Sequence, residues 1–65
     1  MPTVVRIKDA TNEAKGTWPA IQRVDKKTFR TGSGAWVPDG SDRILMYATP
    51  EGAKQEAERL GFQIT

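Results

Sequence analysis

The chain contains no cysteine and no histidine. Without cysteine no disulfide can staple it and no thiolate can hold a metal. Without histidine the zinc knuckle, the zinc finger and every His-based catalytic arrangement are excluded too. No apolar run approaches the ~18 residues of a membrane span, so no membrane partner is expected. Met1-Pro2-Thr3-Val4 lacks the charge-then-apolar pattern of a signal peptide. Both features fit a bacterial or viral cytoplasm, and a cytoplasmic protein is expected. At 65 residues the chain predicts a single domain spanning 1–65. A chain of this size buries only roughly 60% of its unfolded surface. An apolar core must hold it, alone or with help from self-association.

Apolar residues are few but clustered, and the clusters have recognisable periods. Thr49-Pro50-Glu51 reads as a helix start: a capping hydroxyl, a proline at the first helical position, and an acid that complements the helix dipole. Ala53, Ala57 and Leu60 follow at helical spacing. Gly61 supplies a left-handed stop, with Phe62 placed for a Schellman contact on Ala57. A helix is predicted over 50–60, with Lys54–Glu58 and Glu56–Arg59 as exposed charge pairs.

The remainder reads as strands. Residues 3–8 alternate, with Val5 and Ile7 on one face and Arg6 and Lys8 on the other. Asp9 to Gly16 is polar and turn-like. Residues 17–24 and 29–37 suggest a hairpin closed by Asp25-Lys26-Lys27-Thr28. Gly32-Ser33-Gly34 interrupts its second arm as a bulge or a loop tip. Residues 43–48 are apolar on both faces and predict a central strand. Phe62-Gln63-Ile64-Thr65 closes the chain as a short strand. The predicted class is α+β: a small, twisted, mainly antiparallel sheet of 4–5 strands with one helix at about 50–60 packed on one face.

Charge is distributed unevenly. Ten basic residues exceed eight acidic ones. Seven of those bases lie between Arg6 and Arg30, opposed there only by Asp9, Glu13 and Asp25. Residues 31–65 carry three bases against five acids. A basic half suits an anionic partner. Aromatic residues interleave with it: Trp18, Phe29 and Trp36 stand among Arg23, Lys26, Lys27 and Arg30, the composition of surfaces that stack bases and neutralise phosphates. The competing reading makes both tryptophans core, as economy favours in so small a domain. Phe29, beside the turn, is the aromatic expected to be most exposed.

No constellation points to catalysis. Ser33 and Ser41 have no histidine to activate them. Asp39 and Asp42 bracket Gly40 and could meet a cation, but Pro38-Asp39-Gly40-Ser41-Asp42 has the chemistry of a plain turn. Thr31-Gly32-Ser33-Gly34 does not lead into a helix, as a phosphate-binding loop does. No catalytic residue, metal site or cofactor is therefore expected.

The order of a short sheet followed by the capped helix Thr49-Pro50-Glu51-Gly52-Ala53 resembles the arm-binding domains of tyrosine recombinases. The resemblance is topological and covers roughly residues 16–60. It implies a three-stranded sheet inserted into the major groove of DNA. No motif specific to that family is present, and the strands at 3–8 and 62–65 depart from it. So short a chain also looks like the small accessory proteins of phages and mobile elements. The expected function is a non-enzymatic, regulatory binding protein for DNA or RNA, using the 20–31 hairpin and the basic face of the first strand. Its expected contacts are Arg6, Lys8, Arg23, Lys26, Lys27, Phe29 and Arg30. The alternative is a protein-interaction module, a small inhibitor or adaptor, docking by a sheet edge or the 43–48 strand. A third reading, a structural homodimer with its interface on the Leu45 and Tyr47 face, rests on the same strand and is slightly favoured over a monomer, because one small helix covers only one face of a sheet.

Overall fold

A computed structural model describes residues 2–65; Met1, part of the N-terminal stretch read above, lies outside them. The elements run β1 (Val4–Asn12), β2 (Gly16–Arg23), β3 (Thr28–Arg30), β4 (Trp36–Val37), α1 (Pro50–Arg59) and β5 (Gln63–Ile64). They form one open five-stranded sheet in the order β4-β3-β2-β1-β5. Only β5 is parallel to its neighbour, β1. The α+β class and the single helix in the C-terminal half are as the sequence predicts.

The long β1–β2 hairpin is the frame of the molecule. Its register is unbroken from Val5↔Arg23 to Asn12↔Gly16. The polar stretch expected to turn from Asp9 onward instead stays extended to Asn12. The turn is only three residues long. The Asn12 side chain accepts from the amides of Ala14 and Lys15 at 2.9 and 3.0 Å, and Gly16 takes the positive φ of 88° that closes such a loop. Pro19 sits inside β2 without breaking the ladder. Its carbonyl accepts from the Tyr47 amide at 2.9 Å. A strand residue presents its amide and carbonyl sides to the same edge, so the donor that Pro19 lacks faces away from β1.

β3 pairs with Gln22 and Arg23 of β2 on one side and with Trp36 and Val37 of β4 on the other. The glycines after it form the tip of the β3–β4 hairpin. Thr31 organises that tip, accepting at Oγ1 from the Ala35 amide, and Gly34 takes a φ of 91°.

Helix α1 follows its local signals closely. Thr49 Oγ1 accepts from the Gly52 amide at 3.1 Å. At the other end Gly61 has φ 80°, the Phe62 amide reaches the Ala57 carbonyl and the Gly61 amide reaches Glu58. Those two bonds make a Schellman cap. Glu56 and Arg59 pair on the exposed side, holding the Glu56 carboxyl below its usual range through the Arg59 hydrogen bond. Lys54 and Glu58 form no ion pair.

Two apolar clusters form, one on each face of the sheet. On the helix face, Val5 and Ile21 meet Ala53 and Ala57, with Ile7, Trp36, Tyr47, Phe62 and Ile64 around them. Both alanines are fully buried, which lets the helix lie close. Ala57→Leu should therefore overpack this contact and cost roughly 1–3 kcal/mol in urea unfolding. Unchanged stability would mean that the helix stands off the sheet.

The opposite cluster joins Ala10, Ala20, Phe29 and Ile44, flanked by Val37 and Met46. What covers it is the connection 38–48, which corrects the expected central strand at 43–48. That segment is a strap. It reaches the far edge of β1, where Gly40 donates to the Thr11 carbonyl and Asp39 accepts from the Thr11 amide. It then returns across the face to bridge Thr31 at Ile44, with Leu45 bonded to Arg30. Ile44 and Met46 turn into this second cluster, while Tyr47 joins the helix-side core. Its apolar residues on both sides are spent on two different cores. The described residues form a compact unit with a radius of gyration of 10.4 Å, and no helix among them is long and apolar enough to cross a membrane.

Candidate nucleic-acid interface

Strand parity distributes the basic residues. Residues paired across an antiparallel ladder share a face. Arg6 pairs with Gln22 and Lys8 with Ala20, so both bases project from the face opposite the helix. Arg6 is tied down: its Nε donates to Gln22 Oε1 at 2.6 Å. Gln22 is 3% exposed, while Arg6 remains exposed above it.

Arg23 pairs with both Val5 and Thr28 and lies on the helix face. Its Nε bonds Asp25 at 2.8 Å, and its guanidinium carbon lies 6.0 Å from the Trp36 ring centroid. Arg30 pairs with Trp36 and shares the helix face. It lies near Tyr47, whose hydroxyl is buried without a hydrogen-bond partner of good geometry. Burial raises the pKa of that phenol and Arg30 partly offsets it. Lys26 and Lys27 are exposed in the turn that joins β2 to β3, next to the Val4 and Arg6 end of the sheet. Lys27 adopts a left-handed φ of 55°.

Three expectations are overturned. Phe29 is not an exposed platform; at 1% exposure it is the largest fully buried side chain, on the face where the strap covers it. The basic hairpin does not present one surface, because Arg23 and Arg30 turn to the helix side. Leu45 and Tyr47 do not form one open strand face: Tyr47 is half-buried in the helix-side core and Leu45 is half-buried in the strap. The three-stranded sheet implied by the recombinase resemblance is also absent, since β1 is a full partner of β2 in the centre of a five-stranded sheet.

What remains together is a cationic strip: Arg6 and Lys8 on the open part of the face, with Lys26 and Lys27 at the adjoining turn. None of the four belongs to an ion pair; among the described residues only Arg23–Asp25 and Glu56–Arg59 do. The acids Glu13, Asp39 and Asp42 gather at the opposite, hairpin-turn end, where Asp39 and the Asp42 carbonyl anchor the strap. Among the described residues no group of three or more acidic side chains is placed to hold a metal ion.

Economy in so small a domain favours Trp18 as a core residue, and the structure exposes it. Trp18 pairs with Ala10, shares the face of Lys8 and Arg6, and is 46% exposed. Its indole Nε1 donates to the Lys15 carbonyl at 2.6 Å. With Lys15, Met46, Tyr47 and Ala48 it lines an open groove. Trp36, by contrast, packs beside Phe62 with ring centroids 5.8 Å apart. The even spacing of Trp18, Ala20 and Gln22 was visible in the sequence, but its face depends on the register with β1. No family model, curated protein or solved structure matches this chain, so its function rests on this geometry.

Proposed function

We propose that this domain is a non-enzymatic nucleic-acid-binding protein that grips the phosphate backbone through Arg6, Lys8, Lys26 and Lys27. The observation that carries this is a group of cations without ion-pair partners, Arg6 and Lys8 on the face opposite the helix and Lys26 and Lys27 in the adjoining turn, where the one acid, Asp25, is taken up by Arg23. A cation without an ion-pair partner has no internal salt bridge to break before it meets a phosphate. The Gln22 anchor also reduces the entropy that Arg6 must lose on binding. Charge placement supports the same reading, since Arg6, Lys8, Lys26 and Lys27 outnumber Asp25 at one end while Glu13, Asp39 and Asp42 outnumber Lys15 and Arg43 at the other, which helps orient a polyanion as it approaches.

Binding should weaken steeply with salt, by about 0.9 in log–log slope for each duplex phosphate neutralised and somewhat less for a single strand. The double reversal Arg6→Glu, Lys8→Glu should lower that slope by about 2 and leave the melting temperature close to the parent's. Lys54→Glu, on the far side of the helix, serves as the control and should leave binding intact. Fluorescence anisotropy at two salt concentrations measures all three proteins. No binding to any oligonucleotide at low salt, or a reversal without effect, overturns the proposal and favours a protein partner.

The case for a homodimer weakens with the strap in place. Self-association is favoured when one helix leaves the second face of the sheet bare, but here the strap covers the Ala10, Ala20 and Phe29 cluster on that face and leaves Trp18 exposed. Sedimentation equilibrium over a hundredfold concentration range should return the mass of one chain throughout. A mass that rises with concentration would reopen the Leu45 side of the strap as an interface.

A further inference from the structure

We infer that the nucleic acid bound is single-stranded, with one base stacked on the indole of Trp18. This rests on the phosphate-binding reading above and adds its substrate class. Trp18 has the properties of a stacking platform. It projects from a central strand, not a mobile loop, and the bond from Nε1 to the Lys15 carbonyl fixes the ring. That bond also satisfies the one polar atom of the side chain, so the exposed part offers an apolar aromatic surface.

The platform shares its face with the cations. At ~3.4 Å per strand residue, the Lys8 level lies about 7 Å from Trp18 and the Arg6 level about 14 Å. Ala10, Ala20 and Gln22 fill the interval along the two strands but are buried, Ala10 and Ala20 beneath Ile44 and Met46 of the strap, so the path from Trp18 to Lys8 passes over uncharged strap residues. Lys15 stands beside the ring at the other end. An unpaired strand laid along this face would put a base on Trp18 and its following phosphates against Lys8 and Arg6, the pattern of sequence-tolerant single-strand binding.

A duplex suits this surface poorly. Bases inside a duplex are already stacked and show an indole only their edges. A two-stranded ribbon can read the major groove, but β1 and β2 are central strands here. The helix covers one face of the hairpin and the strap part of the other, so they cannot enter a groove ~12 Å wide as a free ribbon.

The test is a titration with oligothymidylate and with a duplex of equal length, comparing the parent with Trp18→Ala and Trp18→Phe. Far-UV circular dichroism checks that each variant is folded. The single strand should bind more tightly than the duplex and quench the tryptophan emission. Trp18→Ala should weaken single-strand binding on the order of tenfold or more, and Trp18→Phe, which keeps a π-face, should restore most of the loss. A second readout is the Trp36→Phe protein, in which quenching must persist because Trp18 is the reporter. Equal or tighter duplex binding that ignores Trp18→Ala overturns the single-strand inference and leaves the phosphate strip standing. Absence of binding to either probe overturns both.

Discussion

Phe29→Ala should leave the protein largely unfolded at 37 °C. The ring is 1% exposed and packs with Ala10, Ala20 and Ile44 under the strap. Removing a buried phenyl group costs about 3–5 kcal/mol, because the lost transfer energy is joined by a cavity that the surroundings only partly fill. At 0.05–0.15 kcal/mol per residue, a domain of this length has only roughly 3–10 kcal/mol in total. β3 is three residues long, so few backbone bonds remain to hold it once the ring is gone. Urea unfolding followed by circular dichroism measures the loss. Phe29→Leu should recover most of it, since a leucine nearly fills the same volume. A folded Phe29→Ala protein that has lost only its oligonucleotide affinity would instead return Phe29 to the binding surface.

Asn12→Ala should be the next most damaging change, by about 2–4 kcal/mol. The side chain is 1% exposed and makes four hydrogen bonds. Its Nδ2 donates to the carbonyls of Asp42 and Ile44, both at 3.0 Å. Its Oδ1 accepts from the amides of Ala14 and Lys15. One residue thus closes the β1–β2 turn and pins the strap to it. Alanine leaves buried carbonyls without donors, which costs more than the bonds themselves contribute. Asn12→Asp separates the two roles. It keeps the turn acceptor, removes both donors, and sets a carboxylate beside two carbonyl oxygens. Hydrogen exchange should show the amides of Gly40 and Ile44 losing protection in both variants. Retained protection there would show that the strap is held by its apolar contacts alone.

The strap also explains how so small a domain without disulfides closes its sheet on both sides. The helix covers one end of one face, and the strap covers the other end of the opposite face. The cationic strip lies where neither reaches. Site and fold are therefore coupled: Met46 of the strap lines the groove beside Trp18, at the far end of the proposed binding face from Arg6.

Local chemistry determined a definite part of this protein. The helix was legible because its signals act within a few residues: the Thr49 cap, Pro50 at the first position, Gly61 with a positive φ, and Phe62 folding back on Ala57. The alternation of Val5, Arg6, Ile7 and Lys8 likewise revealed a strand with one basic face. Tertiary structure decided the rest. Asp9–Asn12 stays extended because β2 pairs with it, although its polar residues read as a turn. Residues 43–48 are apolar on both sides because they serve two cores, which a periodicity cannot distinguish from a central strand. Above all, register sorted the bases. Pairing Arg6 with Gln22 puts Arg23 and Arg30 on the helix side, buries Phe29 and exposes Trp18. A slip of one residue would reverse each of those assignments; the Asn12 and Gly16 turn holds the pairing, but its position is not legible beforehand because all of Asp9 to Gly16 reads as polar turn sequence.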